Sequence, residues 1–180
     1  MKKTILTFGL ISGAISSLMM AVTIPFADRI GHSLLLGYTT IVLSMLLVYF
    51  GVRAYRDDIA KGQITFTRAF LVGLAICVIS CVCYVATWEI IYFNFMPDFA
   101  DKYAAQVIHK AQAAGASTAV IQAKVLEMQR FKQMYANPVF NVAMTFIEPF
   151  PVGLFVSLLS AAILRKKKPQ VQLAQSALAS

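Results

Sequence analysis

Two carboxylates lie in stretches of the chain that are otherwise apolar. Glu148 is in TFIEPFPVGL, directly before Pro149, and Glu89 is in CVCYVATWEIIYF. A carboxylate in an apolar membrane helix is costly when charged, so it is usually protonated, hydrogen-bonded within a bundle, or part of a proton or cation path. These two acids are therefore the first candidates for chemistry.

The residues that follow Glu148 predict a bend in its helix. Pro149 and Pro151 have no backbone N–H to donate, so the carbonyls of Thr145 and Ile147 lose their helical partners. Free carbonyls at such a kink make a polar spot on the helix. We predict that one intramembrane polar site forms there from Glu148, Glu89, Thr145, Asn141 and Asn94.

Three interpretations of this polar site are open. The acids hold helices together by hydrogen bonds, or they carry protons or cations in a small oligomeric transporter or channel. An intramembrane enzyme is disfavoured, because the apolar stretches contain no HExxH motif and no Ser–His or Cys–His arrangement. We expect no catalytic residue, cofactor or metal, since His109 has no second ligand three or four residues away.

The elements that carry these residues are long apolar helices. Of the 180 residues, 59% are hydrophobic and 13% are charged, whereas soluble domains have about 45–50% and about 25%. Crossing a membrane takes about 20 apolar residues, and the stretches at about 4–27, 34–52, 69–95 and 138–164 qualify. The first resembles a signal peptide, but its apolar run exceeds the usual length of about 7–15 residues, so we expect a retained helix. The predicted fold is an all-α, integral membrane four-helix bundle over residues 1–168.

The cations indicate the orientation. The net charge is +8, but Lys and Arg cluster at the ends of apolar stretches, which predicts membrane topology rather than binding to nucleic acid. In a four-span chain the clusters at the N-terminus, at 53–68 and at 165–168 fall on one side. We therefore predict a multi-pass protein of the cell (inner) membrane with both termini cytoplasmic.

The loop after the second stretch carries four of these cations: Arg53, Arg56, Lys61 and Arg68. We predict that they meet the headgroups of membrane lipids, with Gly62 in a turn and Thr65 or Thr67 capping the third helix. A nucleotide or phosphate site is the alternative, but one glycine and a few cations are weak evidence for it.

Residues 97–137 are more polar and predict a short extracytoplasmic segment of two amphipathic helices between the third and fourth spans. Gly115 to Ser117 interrupt the helical pattern, and Asn137 and Pro138 are typical of a helix start. The tail at 169–180 is polar and is predicted to be disordered.

Small residues recur at every fourth position in three of the predicted spans, which is typical of surfaces where helix backbones approach closely. We predict packing seams there, within the chain or with a second copy or another membrane protein. The rows are Gly9, Gly13, Ser17 and Ala21; Ala69, Gly73, Cys77 and Cys81; and Gly153, Ser157 and Ala161.

Two longer stretches, GVRAYRDDIAKGQITFTRAF at 51–70 and PVGLFVSLLSAAILRKK at 151–167, resemble a bacterial membrane family named domain of unknown function 4199. Its pattern has a glycine with a basic-aromatic-basic group, an acidic loop, "ITF", and a Pro-Val-Gly-Leu helix with a basic end. This chain has Gly62-Gln63 where the family often has two glycines. The matching residues are Gly51, Arg53, Tyr55, Arg56, Asp57, Gly62, Ile64, Thr65, Phe66, Pro151, Val152, Gly153 and Leu154.

The resemblance implies a four-helix membrane protein and brings no established activity with it. We therefore expect a non-enzymatic structural or interaction protein of the bacterial cell membrane. Its expected partners are membrane lipids and either a homo-oligomer or another membrane protein. A small oligomeric proton- or cation-coupled transporter or channel is the alternative.

Overall fold

The computed structural model describes residues 2–23 and 34–166, and every regular element among them is helical, which confirms the all-α fold class. The predicted disordered tail at 169–180 and the end of the first predicted span at 24–27 lie outside the described residues. In chain order the elements are α1 (Lys2–Thr23), α2 (Leu34–Ala54), a π-helical turn (Tyr55–Ile59), α3 (Phe66–Asn94), α4 (Phe99–Ala113), α5 (Thr118–Tyr135), α6 (Pro138–Ile147) and α7 (Phe150–Leu164).

Three described helices are long and apolar enough to cross a membrane: Lys2–Val22, Phe66–Asn94 and Pro138–Leu164. These helices indicate a membrane protein. The stretch at 34–52, predicted as a further crossing, includes side chains that are outside the described part of the structure. Four crossings therefore stay a prediction.

Two predicted boundaries change. α3 begins at Phe66 rather than at 69, because the Thr65 hydroxyl accepts a hydrogen bond from the Arg68 N–H at 3.3 Å and caps the helix. The predicted fourth span is interrupted after Ile147 and resumes at Phe150, directly after Pro149.

The chain divides into two compact units, and the first, called the bundle unit, lies within residues 1–84 and 148–180. Contacts between its helices fix their directions: α1 and α3 run parallel to each other and antiparallel to α2 and α7. The contacting pairs are Gly9 with Ile79, Gly13 with Cys83, Phe8 with Gly51, Ser12 with Ser44, Gly73 with Ser157, and Gly153 with Cys77.

These directions bring the described cations of the bundle unit to one end, called the basic end. α1 and α3 begin there, and α2 and α7 finish there. A backbone hydrogen bond from the Lys166 N–H to the Ile64 carbonyl, 3.0 Å long, ties the residues after α7 to the turn before α3.

The bundle unit buries several serines among apolar side chains and also exposes large apolar side chains on its outer surface. The serines Ser12, Ser44 and Ser80 are 0% exposed, whereas Leu10 and Leu18 on α1 are 53% and 64% exposed. An apolar outer surface with small polar side chains buried between the helices is typical of a bundle surrounded by lipid.

The predicted packing seams are confirmed where glycines lie against neighbouring helices. A Cβ added at Gly13 would lie 2.5 Å from the Cys83 Cβ, and one at Gly153 would lie 2.2 Å from the Cys77 sulfur. Ala21 is exposed, so it is outside the seam within this chain, and a contact of Ala21 with a second copy or another protein stays a prediction. Because 3.6 residues make a turn, a row spaced by four drifts around the helix, and Ser16 is buried on α1 instead.

The second unit, Val85–Ile147, is called the hairpin unit. Its helices α4 and α5 are antiparallel, since Tyr103 stacks near Phe131 with ring centres 5.4 Å apart, and Phe99 near Tyr135 at 5.8 Å. The turn between them contains Gly115 at φ +71°, a backbone angle that favours glycine. Before α6, the Asn137 side chain accepts a hydrogen bond from the Val139 N–H at 2.9 Å and caps that helix.

Candidate functional site

A buried hydrogen-bond network lies in the hairpin unit. The Trp88 indole N–H is directed at two acceptors, the Tyr135 hydroxyl at 2.9 Å and the Asn141 side-chain oxygen at 3.1 Å. The Thr145 hydroxyl, one turn further along α6, donates to the same Asn141 oxygen at 3.3 Å. Since an indole nitrogen can only donate, this arrangement fixes the carbonyl side of the Asn141 amide toward Trp88.

Two buried polar atoms of this unit have no hydrogen-bond partner among the described residues: the Asn141 side-chain nitrogen and one oxygen of Glu89. Asn141 is 0% exposed. Leaving such a group unpaired costs about 1–3 kcal/mol, and native proteins usually pair it with ordered water or a bound group. The unit therefore has one donor and one acceptor available to water or to a small polar molecule.

Tyr135 joins this network at the end of α5. Burial raises the pKa of its hydroxyl to about 12; hydrogen bonds with Trp88 and Thr145 act in the opposite direction, and the nearby charges of Tyr92 and Glu89 add to the rise. The hydroxyl is therefore neutral at physiological pH and can both accept from Trp88 and donate.

Glu148 lies in the bundle unit, in the two-residue break between α6 and α7. Its side chain is exposed and accepts a hydrogen bond from the Tyr84 hydroxyl at 3.2 Å. The next residue, Pro149, is fully buried, and its carbonyl accepts the first hydrogen bond of α7 from the Gly153 N–H at 3.0 Å. The candidate span made by α6 and α7 is thus interrupted at Glu148, which accepts a hydrogen bond from the Tyr84 hydroxyl.

The five predicted site residues have different neighbours. Asn141 and Thr145 are brought together, whereas the exposed Asn94 donates to the Ile90 carbonyl of its own helix at 2.8 Å. Convergence of Glu89 and the others on Glu148 stays a prediction.

A serine cluster at the centre of the bundle unit was not anticipated from the sequence. The Ser12 hydroxyl donates to the Ser44 carbonyl at 2.8 Å and lies 2.9 Å from the Ser80 hydroxyl, so one side chain of α1 bonds to both α2 and α3. The sequence signal that could have predicted this cluster is the presence of a serine near the middle of each of three apolar stretches.

The cations of the basic end surround an acidic residue. Asp57 accepts two hydrogen bonds from Arg56, at 2.6 and 3.1 Å, and lies 3.7 Å from the Arg53 guanidinium. The bond with Arg56 lowers the pKa of Asp57 and raises that of Arg56. Arg68 lies 5.9 Å from the centre of the Tyr55 ring, within cation–π range.

The turn of the basic end is made by Lys61 and Gly62, both with positive φ, at 51° and 79°. The predicted contact of this loop with lipid headgroups stays a prediction.

In the part of the chain that the structure describes, no group of three His, Cys, Asp or Glu side chains is arranged to hold a metal ion.

The sequence profile of a family described as "Protein of unknown function (DUF4199)" matches residues 7–166. The chain belongs to this family. The DUF4199 match extends from α1 to the residues directly after α7, so it includes the bundle unit, the hairpin unit and the loop at 51–70. No curated protein and no solved structure matches the chain. Since the DUF4199 description names no activity, function has to be argued from the sites themselves.

Proposed function

We propose that the protein is a non-enzymatic structural or interaction protein of the bacterial cell membrane. It crosses the membrane four times, with the basic end and both termini in the cytoplasm and the segment that contains α4 and α5 on the opposite side. Its bundle acts as a rigid scaffold that presents the hairpin unit to other proteins.

The observation that carries this proposal is the filled interior of the bundle unit. The space between α3 and α7 is closed by Gly153 against the Cys77 sulfur and the Met45 sulfur, where even one added carbon would lie 2.2 and 3.0 Å away. Next to it, the Ser12 cluster joins three helices by hydrogen bonds. Close contacts and interhelical hydrogen bonds of this kind are typical of tightly associated membrane helices, and they favour a scaffold role over conduction through a single bundle.

The hairpin unit supplies a surface for contact with a partner. α5 buries Met128 and Tyr135 against its own unit, while Leu126 and Met134, two turns apart on another face, are 59% and 47% exposed. Ion pairs such as Lys124 with Glu127 at 2.6 Å border the same helix. Arg130, four residues from each, is exposed between them, and apolar side chains mixed with arginine are typical of protein contact sites.

Photocrosslinking in living cells tests the scaffold role. A photoreactive amino acid at Leu126 or Met134 is expected to crosslink to one partner protein. In the reciprocal experiment, a photoreactive amino acid in that partner is expected to give the same adduct. A probe at Lys110, on α4, is the matched control and is expected to give little of it. Equal, non-specific labelling from all three positions, or labelling of lipid alone, would count against an interaction role.

The orientation is tested separately. Single cysteines are placed at Lys61 or at Lys110 in a variant without the three native cysteines. An impermeant thiol reagent is expected to label the cysteine at 61 only from the cytoplasmic side and the cysteine at 110 only from the outer side. Labelling of both from the same side contradicts the proposed topology.

A transporter is the second candidate, and the Glu148–Tyr84 pair is the observation that favours it. An acid within a candidate span is by default a candidate for proton or cation binding, and here it lies on the exposed side of the bundle unit, where a second copy can reach it. In proteoliposomes, Glu148→Gln is expected to abolish cation-dependent flux on this mechanism, while Glu127→Gln on α5 leaves it unchanged. Absence of flux with the unmodified protein removes this candidate.

A further inference from the structure

A shallow, open groove at the basic end of the bundle unit is lined by apolar residues, called its floor, and by charged residues, called its mouth. Its volume is about 480 Å³. The floor is made by Phe8 on α1 and by Leu47, Phe50 and Ala54 on α2. At the mouth lie Arg53, Asp57 and Asp58.

The π-helical turn explains why two acids line this mouth. In an α-helix the residue that follows Arg53 on the same face is four positions on, which is Asp57. The π-helical turn is wider, with the Ala60 N–H bonded to the Tyr55 carbonyl five residues back at 3.0 Å. This widening lets Asp58, five positions from Arg53, line the same groove.

The two acids differ in how they are engaged. Both oxygens of Asp57 accept bonds from Arg56, whereas no ion pair is formed by Asp58 within the described residues. Arg53 lies 3.7 Å from Asp57, with its side chain 55% exposed, so most of its five N–H donors are available. The mouth thus has an exposed guanidinium, Arg53, which contacts Asp57 through one nitrogen, and a carboxylate, Asp58, that forms no ion pair within the described residues.

We infer that this groove binds a membrane phospholipid whose headgroup carries a primary amine, such as phosphatidylethanolamine. The phosphate pairs with Arg53, the ammonium donates to Asp58, and an acyl chain lies along Phe8, Leu47 and Phe50. Charge complementarity selects this occupant: an anionic lipid without an amine leaves Asp58 unpaired, and a trimethylated headgroup has no N–H to donate. The inference rests on the proposed topology, in which the basic end faces the inner leaflet.

Native mass spectrometry of the purified full-length protein tests this inference with three lipids of matched acyl chains: phosphatidylethanolamine, phosphatidylcholine and phosphatidylglycerol. The protein is expected to retain phosphatidylethanolamine about two- to fivefold more than phosphatidylcholine, the range of one exposed ion pair. Asp58→Asn is expected to remove this preference without changing phosphatidylcholine binding. Asp98→Asn, which changes an exposed acid of the hairpin unit, is the control and is expected to keep the preference.

A second variant checks the groove itself. Ala54→Trp fills the floor and is expected to lower retention of all three lipids, with an unchanged circular dichroism spectrum showing that the helices persist. Equal retention of the ethanolamine and choline lipids by the unmodified protein, or a preference that survives in Asp58→Asn, overturns the inference. The thiol-labelling experiment tests the topology without using lipid binding. A wrong topology and a wrong lipid are therefore distinguishable.

Discussion

Replacement of Gly153 by alanine is the most direct test of the bundle packing. In an unpacked helix this change would stabilise the protein by about 0.5–1 kcal/mol, because glycine loses more backbone entropy on folding. In the bundle unit the added carbon would lie 2.2 Å from the Cys77 sulfur and 3.0 Å from the Met45 sulfur. The structure therefore predicts that the sign is reversed.

The size of the effect follows from the contacts. Forcing one methyl group into a packed interior costs about 1–3 kcal/mol, which exceeds the propensity gain. We expect Gly153→Ala to lose about 1–2 kcal/mol of stability, a change of about 5- to 30-fold in the ratio of folded to unfolded protein. Gly73→Ala should cost less, since its nearest contact, the Ser157 side chain, would be at 3.1 Å.

Unfolding by sodium dodecyl sulfate in mild-detergent micelles, followed by far-ultraviolet circular dichroism, measures these differences. The second-site variant Cys77→Ala removes the sulfur nearest to the added carbon and leaves the Cys77 Cβ position at 3.2 Å. The double variant is therefore expected to recover part of the loss, which a generic helix effect would not do. A neutral or stabilising Gly153→Ala would refute the close approach of α3 and α7.

Three further changes have defined outcomes. Ser12→Ala should cost about 0.6 kcal/mol in the same unfolding assay, the average for hydrogen bonds between membrane helices, while Ser160→Ala, whose hydroxyl bonds only to its own helix, should be near neutral. Trp88→Phe removes the N–H that is directed at the Tyr135 hydroxyl and the Asn141 oxygen, and only the Asn141 oxygen keeps another donor, Thr145. The variant should lose about 1–3 kcal/mol of stability and have a lower thermal midpoint; an unchanged midpoint speaks against the network. Titration followed at 295 nm should show a tyrosine with a pKa near 12 that is missing in Tyr135→Phe. Because the folded pKa lies above the unfolded value of 10.0, the Tyr135 contribution to stability is full below pH 10 and is lost as the pH rises to about 12.

Much of the fold was predictable because its signals are local. Apolar runs of sufficient length predict the long helices, and Pro149 predicts the break in the last one, since proline cannot donate the hydrogen bond that a helix needs. Small residues spaced by four predict that Gly13 and Gly153 lie at helix contacts, because only small side chains permit such approaches.

The remaining features depend on residues that are distant in the sequence. Tyr84 and Glu148 are 64 positions apart, and the pairing of Ser12 with Ser80 requires the register of α1 against α3, which periodicity alone does not give. The π-helical turn has no local signal either, because its sequence, YRDDI, is compatible with an ordinary helix. These contacts are set by packing in three dimensions.

The bond between the Lys166 N–H and the Ile64 carbonyl has a consequence for biogenesis. α7 is synthesised after α2 and α3, the two helices against which it packs, so Gly73 and Cys77 lack their α7 contacts until α7 arrives. A chain stopped before Phe150 would keep its earlier helices with an open side, which membrane quality-control proteases can recognise. Attachment of α7 at the basic end is therefore the step that closes this side of the bundle unit.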